Sequence, residues 1–288
     1  MVLGVIWGSN FIFMKMASEL IAPMQIVFFR VLFGFLPILF YGFVKGELYL
    51  KHYRHVHHFV VMAFLAIIVQ YYGFAKGTTF LLSGVAGAVT GAIPLFSFVL
   101  AVLFIPEEKA SALKALGALL GFAGVFTIGA PSGEQLATSN MVGVFYMVLG
   151  SLGLGASFIY ARKYIIPLKL PPATLATYQL GVGMVILGLV TDYSGMSDIW
   201  SDLYISLGLV VGLGLLGTGL AYIIYYYIVD KLGAVTASTV TYLSPVVALV
   251  IGAVLVGEPI GILEYVATLM ILVGVILLRT KNEKQAKH

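Results

Sequence analysis

An all-α membrane bundle is the fold class this sequence predicts, and three observations predict it. Hydrophobic residues make up 61% of the chain and charged residues only 10%, with a mean hydropathy of +1.06, whereas a soluble domain carries charge on about a quarter of its residues. The few charges gather in short clusters between apolar runs of about 20 residues, the length that crosses about 30 Å of hydrocarbon. Those runs are continuous, which favours helices over the apolar-polar alternation of a membrane β-barrel.

Ten spans are expected, near 2–20, 24–44, 57–77, 82–105, 112–130, 141–162, 172–193, 203–228, 234–256 and 261–279. The first has no basic lead and holds Trp7, Asn10 and Lys15, so it reads as a mature helix and not as a cleaved leader. The second carries Arg30 about six residues in, close enough to the outer interface for its stem to snorkel. The third follows the loop KHYRHVHH (51–58) and holds Gln70, Tyr71 and Tyr72. Pro94 interrupts the fourth and Pro245 the ninth, each deleting an N–H and freeing the carbonyl four residues earlier, at Thr90 and Thr241. Gly87xxxGly91, Gly117xxxGly121 and Gly208xxxGly212 place small residues one turn apart, where helices approach closely. The seventh holds Tyr178 and Gln179, and the eighth ends in Tyr222, Tyr225, Tyr226 and Tyr227, read as an aromatic belt.

Orientation follows from the bases. With the N-terminus inside, 13 of the 16 lysines and arginines fall on the cytoplasmic side, among them Lys45, Lys109, Arg162 and Arg279. Both termini are then cytoplasmic. The four clustered histidines suit a basic inner loop beside anionic lipid better than a metal site. With no cysteine, thiol and disulfide chemistry are excluded, and a net charge of +4 is too small and scattered to argue for nucleic acid.

The chain is internally duplicated. SNFIFMK (9–15) matches ASFIYAR (156–162) at an offset of 147, and Pro94 precedes Glu107 by 13 residues as Pro245 precedes Glu258, at an offset of 151. Five helices per half is an odd number, so the second copy enters the membrane upside down, an arrangement secondary transporters use around a midplane site. The expected units are 1–130, an outer linker at 131–140, 141–280, and a basic tail at 281–288.

WGSNFIFMK with Arg30, Thr90 to Pro94 with Glu107, and Thr241 to Pro245 followed by Gly257-Glu258-Pro259 resemble the EamA-type transporters of the drug/metabolite transporter superfamily. The resemblance covers nearly the whole chain and implies a ten-helix inverted-repeat carrier, often an exporter of amino acids or other small metabolites, with its cavity between the halves.

Polar residues within hydrocarbon are functional candidates by default. The expected substrate-facing set is Trp7, Asn10, Arg30, Gln70, Tyr71, Thr90, Ser157, Tyr178, Gln179, Thr241 and Tyr242, with Pro94 and Pro245 as kinks. Two roles fit Arg30: pairing with backbone and neighbouring helices, or holding an anionic group bidentately. Asn10 is either glue between helices, worth about 0.6 kcal/mol, or a ligand contact. Gln179 stands near the repeat position of Arg30, so the second half replaces the charge by an amide.

Enzymatic readings find no machinery. The five histidines stand at 52, 55, 57, 58 and 288, away from the middle of any span, and every Asp and Glu falls in or near a loop. Neither a serine triad nor a carboxylate dyad can be assembled. No mid-helix carboxylate supports proton antiport, Glu264 being only about one turn into the last span. The expectation is a multi-pass carrier of the plasma or inner membrane for amino acids or related compounds, exporting by alternating access. It needs neither cofactor nor metal and has a small molecule and lipid as partners. An exporter of drugs or other metabolites, or a channel, is the alternative, and monomer and weak homodimer are both open.

Overall fold

The computed structural model describes residues 1–130, 136–225, 227–228 and 240–279, with the side chains at 50, 51, 136–139, 172, 240 and 241 also outside the description. Among the described residues every regular element is helical. Ten apolar helices follow in order: α1 Val2–Ala17, α2 Pro23–Lys45, α3 His52–Phe80, α4 Ser83–Phe104, α5 Ala112–Gly129, α6 Asn140–Leu168, α7 Ala173–Val190, α8 Leu203–Tyr225, α9 Tyr242–Val256 and α10 Ile262–Arg279. Among the described residues eight of these are long and apolar enough to cross a membrane; α1 is shorter, and the ninth expected span begins outside the described residues. At 1.5 Å per residue the 16 residues of α1 reach about 24 Å. Most of the expected linker at 131–140 and all of the tail at 281–288 lie outside the described residues or side chains.

Large apolar side chains point outward along the bundle, as lipid demands: Phe40, Phe126, Leu189 and Ile262 are all exposed. The interior is closed by glycines that remove a side chain where two helices cross. Gly73 and Gly77 of α3 lie on Tyr146, Gly150 and Met147 of α6, while Gly117 and Gly124 of α5 lie on Gly274 and Ala267 of α10. Residue numbers rise on one helix as they fall on the other, so both pairs are antiparallel. Gly4 and Gly8 of α1 meet Leu243 and Val247 of α9 in rising order, so those two run parallel. The same reading makes α2 parallel to α8, through Phe33 on Gly214 and Pro37 on Gly219, and antiparallel to α7, through Phe35 on Gly181 and Phe28 on Gly188.

One contact recurs in both halves. Gly8 sits on Val247, and Gly155, 147 residues later, sits on Phe96, 151 residues earlier. The α1–α9 crossing is thus repeated as α6–α4, with each half supplying a glycine to the other.

The prolines act differently in the two copies. A 3-10 turn over Thr90–Ala92 interrupts α4, and Pro94 falls in the first turn of the segment that resumes, where its missing N–H costs nothing. The carbonyl of Thr90, expected to be free, accepts from the N–H of Ile93. Pro245 stays inside a helical run, Val240–Val250. Wider π-helical winding occupies Phe64–Val69, Gly208–Leu220 and Ile251–Val256, a geometry that recurs at functional sites.

Two helix starts are capped by side chains, α2 by its own Gln25 and α4 by the distant Glu258. Gln25 accepts from the N–H of Ala22 at 3.0 Å and donates to the carbonyls of Asp192 and Ser194 at 2.7 and 2.9 Å. The carboxylate of Glu258 accepts from the N–H groups of Ser83 and Gly84 at 2.7 and 2.9 Å, satisfying the orphan donors that open α4. Lys15 does not snorkel freely: its ammonium donates to the carbonyl of Leu81 at 3.1 Å, in the α3–α4 turn.

Candidate functional site

A cavity of about 200 Å³ lies between the halves, built from α1, α2, α3 and α4 of the first and α6, α7, α8 and α9 of the second. Its walls run from one end of the bundle inward to Met14 and Arg30. Trp7 stands near the start of α1, Leu175 near the start of α7, Tyr222 and Tyr225 at the end of α8. Beyond Met14 the lining stops, and the Lys15–Leu81 and Glu258–α4 contacts join the helices at the other end.

Arg30 is the centre of the site and is buried, at 5% exposure. Its Nε donates to Thr218 Oγ1 at 3.0 Å, its Nη1 lies 3.9 Å from Met14 Sδ, and its Cζ stands 3.8 Å from the centroid of the Tyr71 ring. Asn10, with its amide turned so that both ends are satisfied, donates to the Ile6 carbonyl at 3.1 Å and accepts from Arg30 Nη2 at 3.2 Å. This approach requires Gly217, since any β-carbon there would collide with the Asn10 side chain. The Tyr71 and Tyr222 hydroxyls are 3.4 Å apart. No ion pair links Arg30 to a carboxylate among the described residues; the two that form both use Glu108, with Lys114 and Arg162.

The structure brings eight of the expected residues to the cavity. Trp7, Asn10, Arg30, Gln70 and Tyr71 line it from α1 to α3. Thr90, Ser157 and Gln179 line it from α4, α6 and α7. Both hydroxyls donate within their own helices, Thr90 to the Gly87 carbonyl at 2.6 Å and Ser157 to the Leu154 carbonyl at 2.7 Å.

Tyr178 and Tyr242 lie elsewhere. The Tyr178 hydroxyl donates to the Tyr49 carbonyl at 3.0 Å and its ring stacks on Phe59, because adjacent helical positions point about 100° apart and only Gln179 turns inward. Tyr242 packs under the Arg279 guanidinium, 4.1 Å from its ring centroid. The side chain of Thr241 is outside the described residues.

Sequence reasoning missed Thr218, Ser244, Tyr222 and Tyr225. The two tyrosines, read as a belt, line the cavity, and Tyr225 stands 5.8 Å from Trp7 between ring centroids. A signal existed for Ser244: it is the repeat equivalent of Ile93, which also lines the cavity. For Thr218 there was none beyond its place in a glycine-rich stretch of α8.

The four described histidines lie in the first turns of α3. His58 Nδ1 is 2.7 Å from the Tyr160 hydroxyl, and the His58 ring packs on Tyr164 of α6.

The EamA-like transporter family model matches residues 1–130 and again 141–280. The chain belongs to the EamA-like transporter family. This EamA-like chain is 24% identical over 280 residues to an uncharacterised transporter of Archaeoglobus fulgidus, covering 96% of this chain and 95% of that one. It is 25% identical to the uncharacterised transporter YdfC of Bacillus subtilis strain 168, over 98% of this chain and 90% of YdfC. It is equally 25% identical to the uncharacterised inner membrane transporter YedA of Escherichia coli K12, over 95% and 87%. A crystal structure at 17% identity has the same fold, with a TM-score of 0.64 over 99% of this chain and 96% of that one. The EamA-like protein is therefore a multi-pass membrane transporter.

Proposed function

We propose that this transporter is a plasma-membrane carrier that exports small metabolites, amino acids or compounds related to them, by alternating access at the cavity around Arg30. All ten helices cross the membrane in this reading, with both termini cytoplasmic. The cavity then faces the cytoplasm, and the Lys15–Leu81 and Glu258–α4 contacts close the outer side. A second conformation opens outward by releasing that closure while the α1–α9 and α6–α4 crossings shift on their smooth glycine faces.

The observation that carries the reading is Arg30: a buried guanidinium without a carboxylate partner among the described residues, facing a cavity lined by both repeats. A permanent charge in a low-dielectric bundle is costly unless something compensates it, and here the tyrosine face and three neutral contacts leave room for an anionic group.

Purified protein in liposomes tests the reading. A panel of labelled amino acids, carboxylates and amines is offered with and without the same solute trapped inside. Saturable uptake that accelerates against a trapped solute is expected. Unsaturable ion current without such counterflow would instead make the protein a channel.

A further inference from the structure

We infer that the cavity selects an aromatic or similarly apolar monocarboxylate and, among the described residues, holds no carboxylate for an α-ammonium group, so that the des-amino acid is a better substrate than the amino acid. The inference rests on the carrier reading above and narrows its substrate class.

Charge is the first ground. Among the described residues Arg30 is the one charged side chain in the cavity wall; no described Asp, Glu, Lys or His lines it. A monoanion neutralises the site. A zwitterion brings a second cation into a space that already holds one, with no carboxylate to receive it, and attraction and repulsion of comparable size then cancel much of the gain. An amine lacking the acid keeps the repulsion from Arg30 and gains no charge pairing with it.

The geometry at Arg30 is the second ground. Tyr71 covers one face of the guanidinium and hydrogen-bonds it, Thr218 takes Nε and Asn10 takes Nη2, while Nη1 lies 3.9 Å from the soft thioether of Met14. Such an edge is suited to a carboxylate oxygen, which accepts from guanidinium N–H in a fixed fork. Asn10 and Thr218 hold the fork still.

The remaining wall is the third ground. Trp7, Phe11, Phe74, Phe158 and Tyr225 offer rings at the cavity surface, with Phe11 and Phe74 centroids 5.9 Å apart. An apolar cavity of about 150 Å³ is enough to hold benzene, so about 200 Å³ accommodates one ring with a short acid chain. The polar residues that line it, Gln70, Thr90, Ser157, Gln179 and Ser244 among them, are neutral, so an ammonium would meet dipoles there and no opposite charge.

The experiment uses three ligands that differ by one group each: 3-phenylpropanoate, phenylalanine and phenethylamine. Counterflow is measured in liposomes of the full chain. Binding is measured separately by fluorescence of Trp7 in a Trp200→Phe variant, since the chain has two tryptophans and only Trp7 lines the cavity. The expected result is 3-phenylpropanoate bound and exchanged at least tenfold better than phenylalanine, with phenethylamine inert. Arg30→Gln should lose the acid by at least tenfold, and Arg30→Lys, which keeps the charge without the fork, should recover part of it. If Arg30→Gln does not fold, the Arg30→Lys titration and the ligand ranking carry the test. Phenylalanine equal to or better than 3-phenylpropanoate overturns the inference, as does an acid bound equally by a folded Arg30→Gln. Saturable exchange of some other panel solute without 3-phenylpropanoate overturns the substrate class and leaves the carrier standing; no saturable exchange of any solute overturns both.

Discussion

The two repeats share their packing but not their chemistry. Gly8 on Val247 and Gly155 on Phe96 are one crossing built twice, while the cavity positions that go with them diverge: Asn10 and Arg30 in one half, Ser157 and Gln179 in the other. Close helix approach is a requirement of the scaffold in either orientation, so both copies keep it. In the carrier reading proposed above, the substrate meets both halves at once and a single charged end calls for a single charged wall. In that reading duplication supplies two-state mechanics, and divergence supplies recognition.

Even the shared packing is unequal, which offers the sharpest way to break the comparison. A β-carbon at Gly8 would stand 2.6 Å from Val247 Cγ1 and 2.9 Å from the Ser244 carbonyl, whereas one at Gly155 would be 3.1 Å from Ser97 N and 3.3 Å from Phe96 Cβ. The first demands that a branched side chain or backbone move; the second asks for a few tenths of an ångström. Gly8→Ala should therefore cost about 1–3 kcal/mol, the usual range for overpacking, and Gly155→Ala clearly less. Thermal unfolding of each variant in one detergent measures this. Equal losses, or a larger one for Gly155→Ala, would show that the crossings are not graded as their distances imply.

Hydropathy made the spans legible because lipid imposes one length and one composition on every helix, whatever its neighbours. The windings within them were not legible. Nothing in the composition of Phe64–Val69 distinguishes π winding from α, since both bury the same residues and differ only in which carbonyl each N–H meets. In the cavity, residues flagged by polarity alone mostly arrived where expected, as Asn10 and Gln179 did. What escaped depended on partners far along the chain. Arg30 meets Thr218 across 188 positions, and Tyr178 turns out of the cavity while its neighbour turns in. Lys15 and Glu258 each reach the α3–α4 turn or the helix start beside it, contacts that sequence spacing does not show.

Glu258 gives the next test, against its repeat partner Glu107. Glu258 takes the N–H groups of Ser83 and Gly84 at the start of α4 and adds a negative charge where the helix dipole favours one. Glu107 is exposed, and the ion pairs in its loop belong to Glu108. Glu258→Ala should lower stability by about 1 kcal/mol, as loss of a cap does, and Glu107→Ala should stay within about 0.5 kcal/mol of the parent. Comparable melting temperatures for the two would mean the cap adds nothing. In the carrier reading Glu258→Ala also loosens the outer closure, and it should alter the rate of exchange where Glu107→Ala does not.

The smallest effect separates the two loops that follow the second helix of each repeat. The α2–α3 loop is rich in Lys, Arg and His, while the α7–α8 loop carries Asp192, Asp198 and Asp202. Asp192 accepts from the Ser194 N–H at 2.9 Å, and hydrogen bonds from the Ser194 backbone and side chain hold its carboxyl below the usual carboxylate range. Its charged form is thus favoured by folding, so the contribution is complete above the unfolded value near 4 and is lost as pH falls through the lower folded value. Gln25 ties the same turn to α2 through the Asp192 and Ser194 carbonyls, which keeps the geometry when the charge goes. Because Asp192 is fully exposed, the change is small: Asp192→Asn should flatten only the acid limb of a melting-temperature profile below about pH 4 and leave neutral-pH exchange unchanged. An acid limb identical in parent and variant would show that the turn is held by Gln25 alone.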